Sequence, residues 1–371
     1  MLRFPAVLLV IGLLGVACAQ SAPTASPAVT NVDIPKLGFD PATVNPKHEG
    51  KIGVPGLPAG FTYKDLVTPG KYDDPDIIAF DPSQRYLFFD THLEAPGGSV
   101  YRVDLTTLDV MRLTTGVHRP GGTAYYKPGN VVIVAEEGTG VGPEQNQRGF
   151  HRAVLPDVPD QPTPPSLRAM GQYRGEGMAF AGADTIYLSE DHPDGGHIYK
   201  YVLDAPPDLS KGILYVLKQD AGWIKTAFLE APETGKEGTK FFQAEGMEFG
   251  PDGKLYLCIS ALAETRVVAI DTTTGKVTDF VTAAQAKGFR SPDHLTFAPN
   301  GTLFITSKTG DVWAALPDGP DADALSDGVY RFVTGLGYPQ GLGFSPDGST
   351  FYVTGGAQAD VVLAISGFKW Q

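Results

Sequence analysis

The stretch Gly175–Asp191, GEGMAFAGADTIYLSED, holds two short apolar runs joined by a Gly/Asp turn, with a carboxylate just before the first run and two just after the second. Alternating apolar strands around such a turn predict a β-hairpin. The phrase recurs: DPDIIAFDPSQRYLFFDTH from Asp74, GGTAYYKPGNVVIVAEEG from Gly121, AEGMEFGPDGKLYLCISA from Ala244, SPDHLTFAPNGTLFITSKTG from Ser291 and PQGLGFSPDGSTFYVTGG from Pro339. The first strand of each ends on an aromatic residue: Phe80, Tyr125, Phe180, Phe249, Phe297 and Phe344. These anchors are 45, 55, 69, 48 and 47 residues apart. Propeller blades repeat at about 40–50 residues, so the two long gaps carry insertions.

A third strand follows most hairpins, as in GGSVYRVDL, GGHIYKYVL, TRVVAIDTTTG and DGVYRFVTG, and a fourth follows some, as in DVMRLTTG and KVTDFVTA. The sixth unit ends one strand short. AGFTYKDLVTPG, near the start, is placed to supply it. The expectation is an all-β fold, a six-bladed β-propeller closed by an N-terminal strand, forming one domain over 51–371. A β-sandwich would not need this repeat.

Bulk properties agree. Among 371 residues, 45 are Gly and 31 Pro, which suits many turns better than helix bundles. The net charge of −13 argues against nucleic acid as a partner. At the N-terminus, Arg3 and the apolar AVLLVIGLLGVA form an export signal too short to span a bilayer. LGVAC resembles a lipobox, so a lipoprotein-type signal is expected over 1–18, with a lipid on Cys18 as the membrane attachment. Cleavage after Ala19 is the alternative. Residues 19–50, rich in Ala, Ser and Pro at their start, read as a flexible tether. The expectation is an exported monomer, periplasmic or extracellular. Cys18 and Cys258 cannot make a disulfide framework, and Cys258 reads as a buried strand residue.

The innermost strand of each propeller blade lines the central channel. Four residues before the anchors stand Asp76, Gly121, Glu176, Glu245, Asp293 and Gln340. Four carboxylates at equivalent ring positions would repel one another unless a cation sits among them. A hard ion with oxygen ligands, Ca²⁺, meets that need. The far ends of the hairpins add Glu136 and Glu137, Glu190 and Asp191, with Asp90 at a comparable place. Hairpin length does not say which member of each pair faces inward. Arg119, Arg174 and Lys308 lie beside these positions and could bind an anion or pair with the acids. His92, His118, His192 and His294 lie near the phrase ends, where they could reach the mouth. Ser189, Ser260 and Ser307 lack a nucleophile-elbow context.

Taken in order, LPAGFTYKDLVTPG, GGTAYYKPGNVVIVAEEG, GEGMAF…IYLSEDHPDGGHIYKYV, AEGMEF, SPDHLTFAPNGTLFITS and VLAISGFKW resemble the PhoX-type alkaline phosphatase family over most of the mature chain. The resemblance implies a calcium-dependent phosphoesterase acting on a small phosphate ester at the channel mouth. Metal would be held by Asp76, Glu136, Glu137, Glu176, Glu190, Asp191, Glu245 and Asp293, with Arg174, Lys308 and His294 in catalytic roles. Ala135 stands where the iron-binding members have Cys. The thiolate suited to iron is therefore missing, and calcium is the expected ion. Two alternatives stand beside this reading: a calcium-dependent lactonase-type propeller hydrolase, and a non-catalytic binding propeller stabilised by calcium.

Overall fold

The computed structural model describes residues 37–370, apart from 46, 48–49, 94–96, 139–148, 227–236 and 322. The expected export signal, Cys18 and the first part of the tether lie outside the described residues. Six antiparallel sheets form a six-bladed propeller. Their inner strands are Pro75–Phe80, Pro120–Tyr126, Gly175–Ala181, Ala244–Phe249, Pro292–Phe297 and Leu342–Phe344. Each inner strand adjoins the next around the axis, and the sixth returns to the first.

Among the described residues, four blades have four strands, the second has three and the third has five. The extra strand of the third blade, Gly222–Lys225, explains part of the 69-residue gap. Its Trp223 indole donates to the Thr272 carbonyl of the fourth blade at 2.8 Å. In the fifth blade the order differs from expectation. Asp311–Ala315 is the third strand, and DGVYRFVTG contributes the fourth, Val329–Val333. The polar TG turn before Asp311 and the short apolar run made that third strand easy to pass over.

The ring closes through Thr62–Asp65, which pairs with Val362–Ser366 in the register Thr62↔Ser366 to Asp65↔Leu363. The core lies between blades, where apolar faces of successive sheets meet. Around the closure, Phe304, Phe332, Phe344 and Phe351 pack with Phe61, Phe368 and Trp370. Phe368 stacks on Trp370 at 4.8 Å, and the Trp370 indole donates to the Gly348 carbonyl. Packing starts before Lys51: Leu37 is buried in this cluster and Phe39 lies against it.

The site depends on a repeated irregularity. Five of the six inner strands slip register against the second strand at the ring position: between Pro75 and Ile78, Pro120 and Gly122, Ala244 and Met247, Pro292 and Leu295, and opposite Leu188–Glu190 in the third blade. A β-bulge bends the strand and re-aims one side chain. Here it turns the residue after the break toward the axis. The amide that loses its ladder partner is satisfied from the second strand. Ser189 Oγ accepts from Gly177 N (2.7 Å), Thr306 Oγ1 from His294 N (2.9 Å), Thr354 Oγ1 from Gly341 N (2.9 Å) and Asp90 Oδ1 from Ile77 N (3.3 Å). Ser189 and Thr306 pass their own protons to the next blade, on the carbonyls of Glu245 (2.6 Å) and Gln340 (2.7 Å). Ser189 is thus a blade-to-blade connector.

Candidate metal centre at the channel mouth

Two rings of side chains meet at one end of the channel. The first comes from the starts of the inner strands, bulged in five blades: Asp76, Gly121, Glu176, Glu245 and Asp293, with Gln340 just before the sixth. The second comes from the residues just beyond the second strands: His92, Glu137, Asp191, Ser260, Lys308 and Gly356. Every carboxylate in both rings is buried, with Asp76 and Asp293 wholly shielded.

Gly121 is needed where it stands. A Cβ there would collide with Glu176 Oε2 and lie 2.6 Å from Glu137 Oε1. The missing side chain of the second blade is the space into which those two carboxylates lean. Gly246 does the same for His294, whose ring occupies the place of its Cβ.

The paired acids separate as strand alternation requires, since successive side chains leave a strand on opposite faces. Glu137 faces the axis, with Oε1 2.8 Å from His92 Nε2 and Oε2 2.6 Å from Arg174 Nη2. Asp191 faces it too, 3.4 Å from the same guanidinium. Glu136 turns into its own blade, where it accepts from Arg152 Nε (2.7 Å) and the amides of His118 and Phe150. Glu190 likewise accepts from the Tyr199 hydroxyl (3.0 Å) and the His197 amide (3.2 Å). The structure therefore does not bring Glu136 or Glu190 into the ring. Asp90 also leaves it, because its carboxylate is used on the bulge amide of Ile77 and by the Thr123 hydroxyl.

Of the residues expected in catalytic roles, Arg174 and Lys308 meet the ring as ion-pair partners. Lys308 Nζ lies 2.6 Å from Glu245 Oε1 and 3.6 Å from Asp293 Oδ1. His294 Nδ1 lies 3.7 Å from Asp293 Oδ1. His92 was legible only as a rim residue. It lies between Glu137 and Asp76, 3.6 Å from the latter. Its signal was position: it occupies the place in its blade that Glu137, Asp191 and Lys308 occupy in theirs.

Among the described residues, six carboxylates (Asp76, Glu137, Glu176, Asp191, Glu245 and Asp293) thus face three fixed cations, Arg119, Arg174 and Lys308. The imbalance falls unevenly: burial opposes the charge of Asp293, but Lys308 and His294 outweigh it and hold that carboxyl below its usual range. Burial, then neighbouring acids, hold the carboxyls of Asp76 and Glu176 well above the ordinary range. Burial and Asp191 do the same for Glu245, against the pull of Lys308. Burial also raises Asp191. Burial opposes the charge of Glu137 as well, but His92, Arg119 and Arg174 outweigh it and hold that carboxyl well below its usual range.

The polar atoms left over converge. Both oxygens of Asp76, both of Asp293, Glu176 Oε2, Asp191 Oδ1, Gln340 Oε1 and His294 Nδ1 are buried without a hydrogen-bond partner. Ligand atoms of Glu176, Asp293 and His294 lie within 4.8 Å of one another, close enough to share a metal ion. Buried carboxylate oxygens without donors are costly, and a hard cation satisfies several at once. The residues present fit such an ion.

No family profile matches the chain. A stretch of 125 residues is 27% identical to the gluconolactonase of Zymomonas mobilis, and covers 31% of this chain and 34% of that protein, about a third of its length. Among solved structures, an oxidoreductase (glucose dehydrogenase) from Thermus thermophilus superposes with a TM-score of 0.57 at 15% identity, over 82% of this chain and all of that one. A luciferin-regenerating enzyme does so at 0.54 and 12% identity, over 84% and 97%. At these identities the structures speak for the propeller fold alone. The sequence match corrects the expected kinship: the chain is similar to a gluconolactonase, so the PhoX-type resemblance and the phosphoesterase reading drawn from it are set aside. The phrases behind that resemblance encode blade hairpins, which propellers of unrelated chemistry share.

Proposed function

We propose that this protein is a lactonase-type hydrolase that depends on a divalent cation, with calcium as the ion. The observation that carries the reading is the set of orphaned, buried oxygens on Asp76, Glu176 and Asp293 at the channel axis. The sequence match to a gluconolactonase supports the reaction class. Asp76, Glu176, Asp293 and Glu245 would hold the ion, with Gln340 as a neutral oxygen donor and His294 beside it. Four carboxylates and an amide oxygen suit calcium, which takes 6–8 oxygens. When bound, the ion supplies Lewis acidity toward a lactone carbonyl.

The chain's own groups would do the rest. Asp191, raised by burial and oriented by Arg174, is placed to accept a proton from an attacking water and return it to the departing ring oxygen. The product is the open hydroxy acid. Arg174 and Lys308 would draw its new carboxylate while keeping Glu137 and Glu245 in place. Export, as proposed from the N-terminal sequence, would expose the site to compartments where modules with calcium affinities of about 0.1–1 mM are loaded.

The test is titration of released acid from glucono-δ-lactone and simple γ- and δ-lactones, before and after chelation. The proposal expects hydrolysis that is lost on chelation and restored by Ca²⁺. Absence of lactone turnover with every divalent ion tried would overturn it.

A further inference from the structure

Below the first ring the channel changes character. A cavity of about 400 Å³ continues along the axis, walled by Tyr125, Met178, Phe180, Met247, Phe249 and Leu342, with Thr123 and Glu248 as polar members of the same wall. Its volume is within the range of small-molecule sites, and its walls are of the apolar and aromatic kind that such sites use. Glu176 and His294 belong both to this wall and to the metal cluster. A molecule in the cavity therefore reaches the cluster directly. At its far end Tyr125, Met178, Phe180 and Phe249 are only half-buried. At the acidic mouth, among the described residues, Arg174 keeps 11% of its side-chain surface, Lys308 17% and Arg119 38%. The two methionines add walls that adapt to irregular apolar shapes.

We propose that an apolar substituent of the substrate occupies this lower channel, so that the substrate class is a lactone bearing an alkyl or aryl chain, with its carbonyl at Glu176, Asp293 and His294. This inference rests on the lactonase reading and narrows it. A ring of hydroxyls would lose hydration against the aromatic and methionine walls, and would find side-chain partners only at Thr123, Glu248 and the cluster itself. An alkyl chain gains from burial with each methylene.

The experiment separates the two claims. Calcium-loaded protein is titrated calorimetrically with δ-lactams carrying methyl, butyl, hexyl and octyl chains, as unhydrolysed mimics. Turnover of the matching δ-lactones is measured in parallel. Ala124 lines the cavity outside the blade cores, so Ala124→Phe fills the space without disturbing them. The expected result is affinity and kcat/KM rising about fourfold per methylene until the cavity is full. Ala124→Phe should cancel that rise. Affinity independent of chain length, or chain dependence untouched by Ala124→Phe, would overturn the inference even if lactones are hydrolysed. Chain-dependent lactam binding without turnover of any lactone would leave the cavity assigned to an apolar ligand but overturn its role in lactone hydrolysis, together with the proposed function.

Discussion

Among the described residues, two clusters of three side chains bring potential metal ligands together, one of two carboxylates with a histidine and one wholly acidic. Glu176, Asp293 and His294 meet at the axis, fully enclosed; Asp318, Asp321 and Asp323 meet on an outer loop, fully exposed. The loop acids are solvated, and their repulsion is screened within about 10 Å by salt. The axial acids have lost that water and keep oxygens with no donor. Burial, rather than acidity, turns a cluster of carboxylates into a demand for a cation.

The largest effect separating the two places should come from Glu176→Gln. Loss of one axial charge is expected to cut lactone hydrolysis at least about a hundredfold and to abolish the calcium-dependent rise in melting temperature. The rise in the unmodified protein should correspond to about 2.7 kcal/mol at a hundredfold excess over Kd. Calorimetry with and without Ca²⁺ checks the second part. An unchanged rise in the variant would remove Glu176 from the site.

Next in size is the contrast between enclosed and open ion pairs. Arg152→Ala strands Glu136, which is only 2% exposed, and should cost about 3 kcal/mol. Arg112→Ala breaks the pair with Asp160, in which both partners are exposed, and should cost under about 1 kcal/mol. Urea unfolding of both variants measures the gap, and equal losses would contradict the picture.

A pH dependence follows from the raised carboxyls. Asp76, Glu176 and Glu245 bind their protons more tightly in the fold than in the open chain, and burial pushes Glu248 up to about 7. Such groups contribute stability below their unfolded values and lose it as pH rises through the folded ones. Glu137 and Asp293, held low, act in the opposite sense, and only as pH falls below the ordinary carboxylate range. Chelated protein should therefore melt at progressively lower temperature between about pH 5 and about pH 8, and added Ca²⁺ should flatten that slope. A chelated protein whose melting temperature climbs across this window would reverse the assignment. The smallest effect belongs to the loop: replacing Asp318, Asp321 and Asp323 together with Asn should change stability by no more than about 0.5 kcal/mol, and calcium binding not at all.

How far the sequence reaches differs between fold and site for physical reasons. The six phrases carry hairpin turns and aromatic anchors that act locally, so blade number and the closing role of Thr62–Asp65 were legible. Asp311–Ala315 was not, because five residues between turns leave little periodicity to read. The first ring was legible by counting back from the anchors. The choice between Glu136 and Glu137, or Glu190 and Asp191, was not legible from hairpin length, which leaves open which member of a pair faces inward. Aligning the second strands at Asp90, Ala135, Ser189, Cys258, Thr306 and Thr354 would have placed His92 and Lys308 in the second ring beside Glu137 and Asp191. The chemistry was least legible, since blade phrases are selected by packing and turn geometry whatever the reaction.

The central claim is that one hard cation sits among the axial carboxylates. Calorimetric titration of chelator-treated protein with Ca²⁺ tests it most directly, with Asp293→Asn as the comparison. The account predicts saturable binding near one ion per chain, weakened at least about tenfold in the variant. Binding that survives the substitution, or none in the unmodified protein, would contradict it.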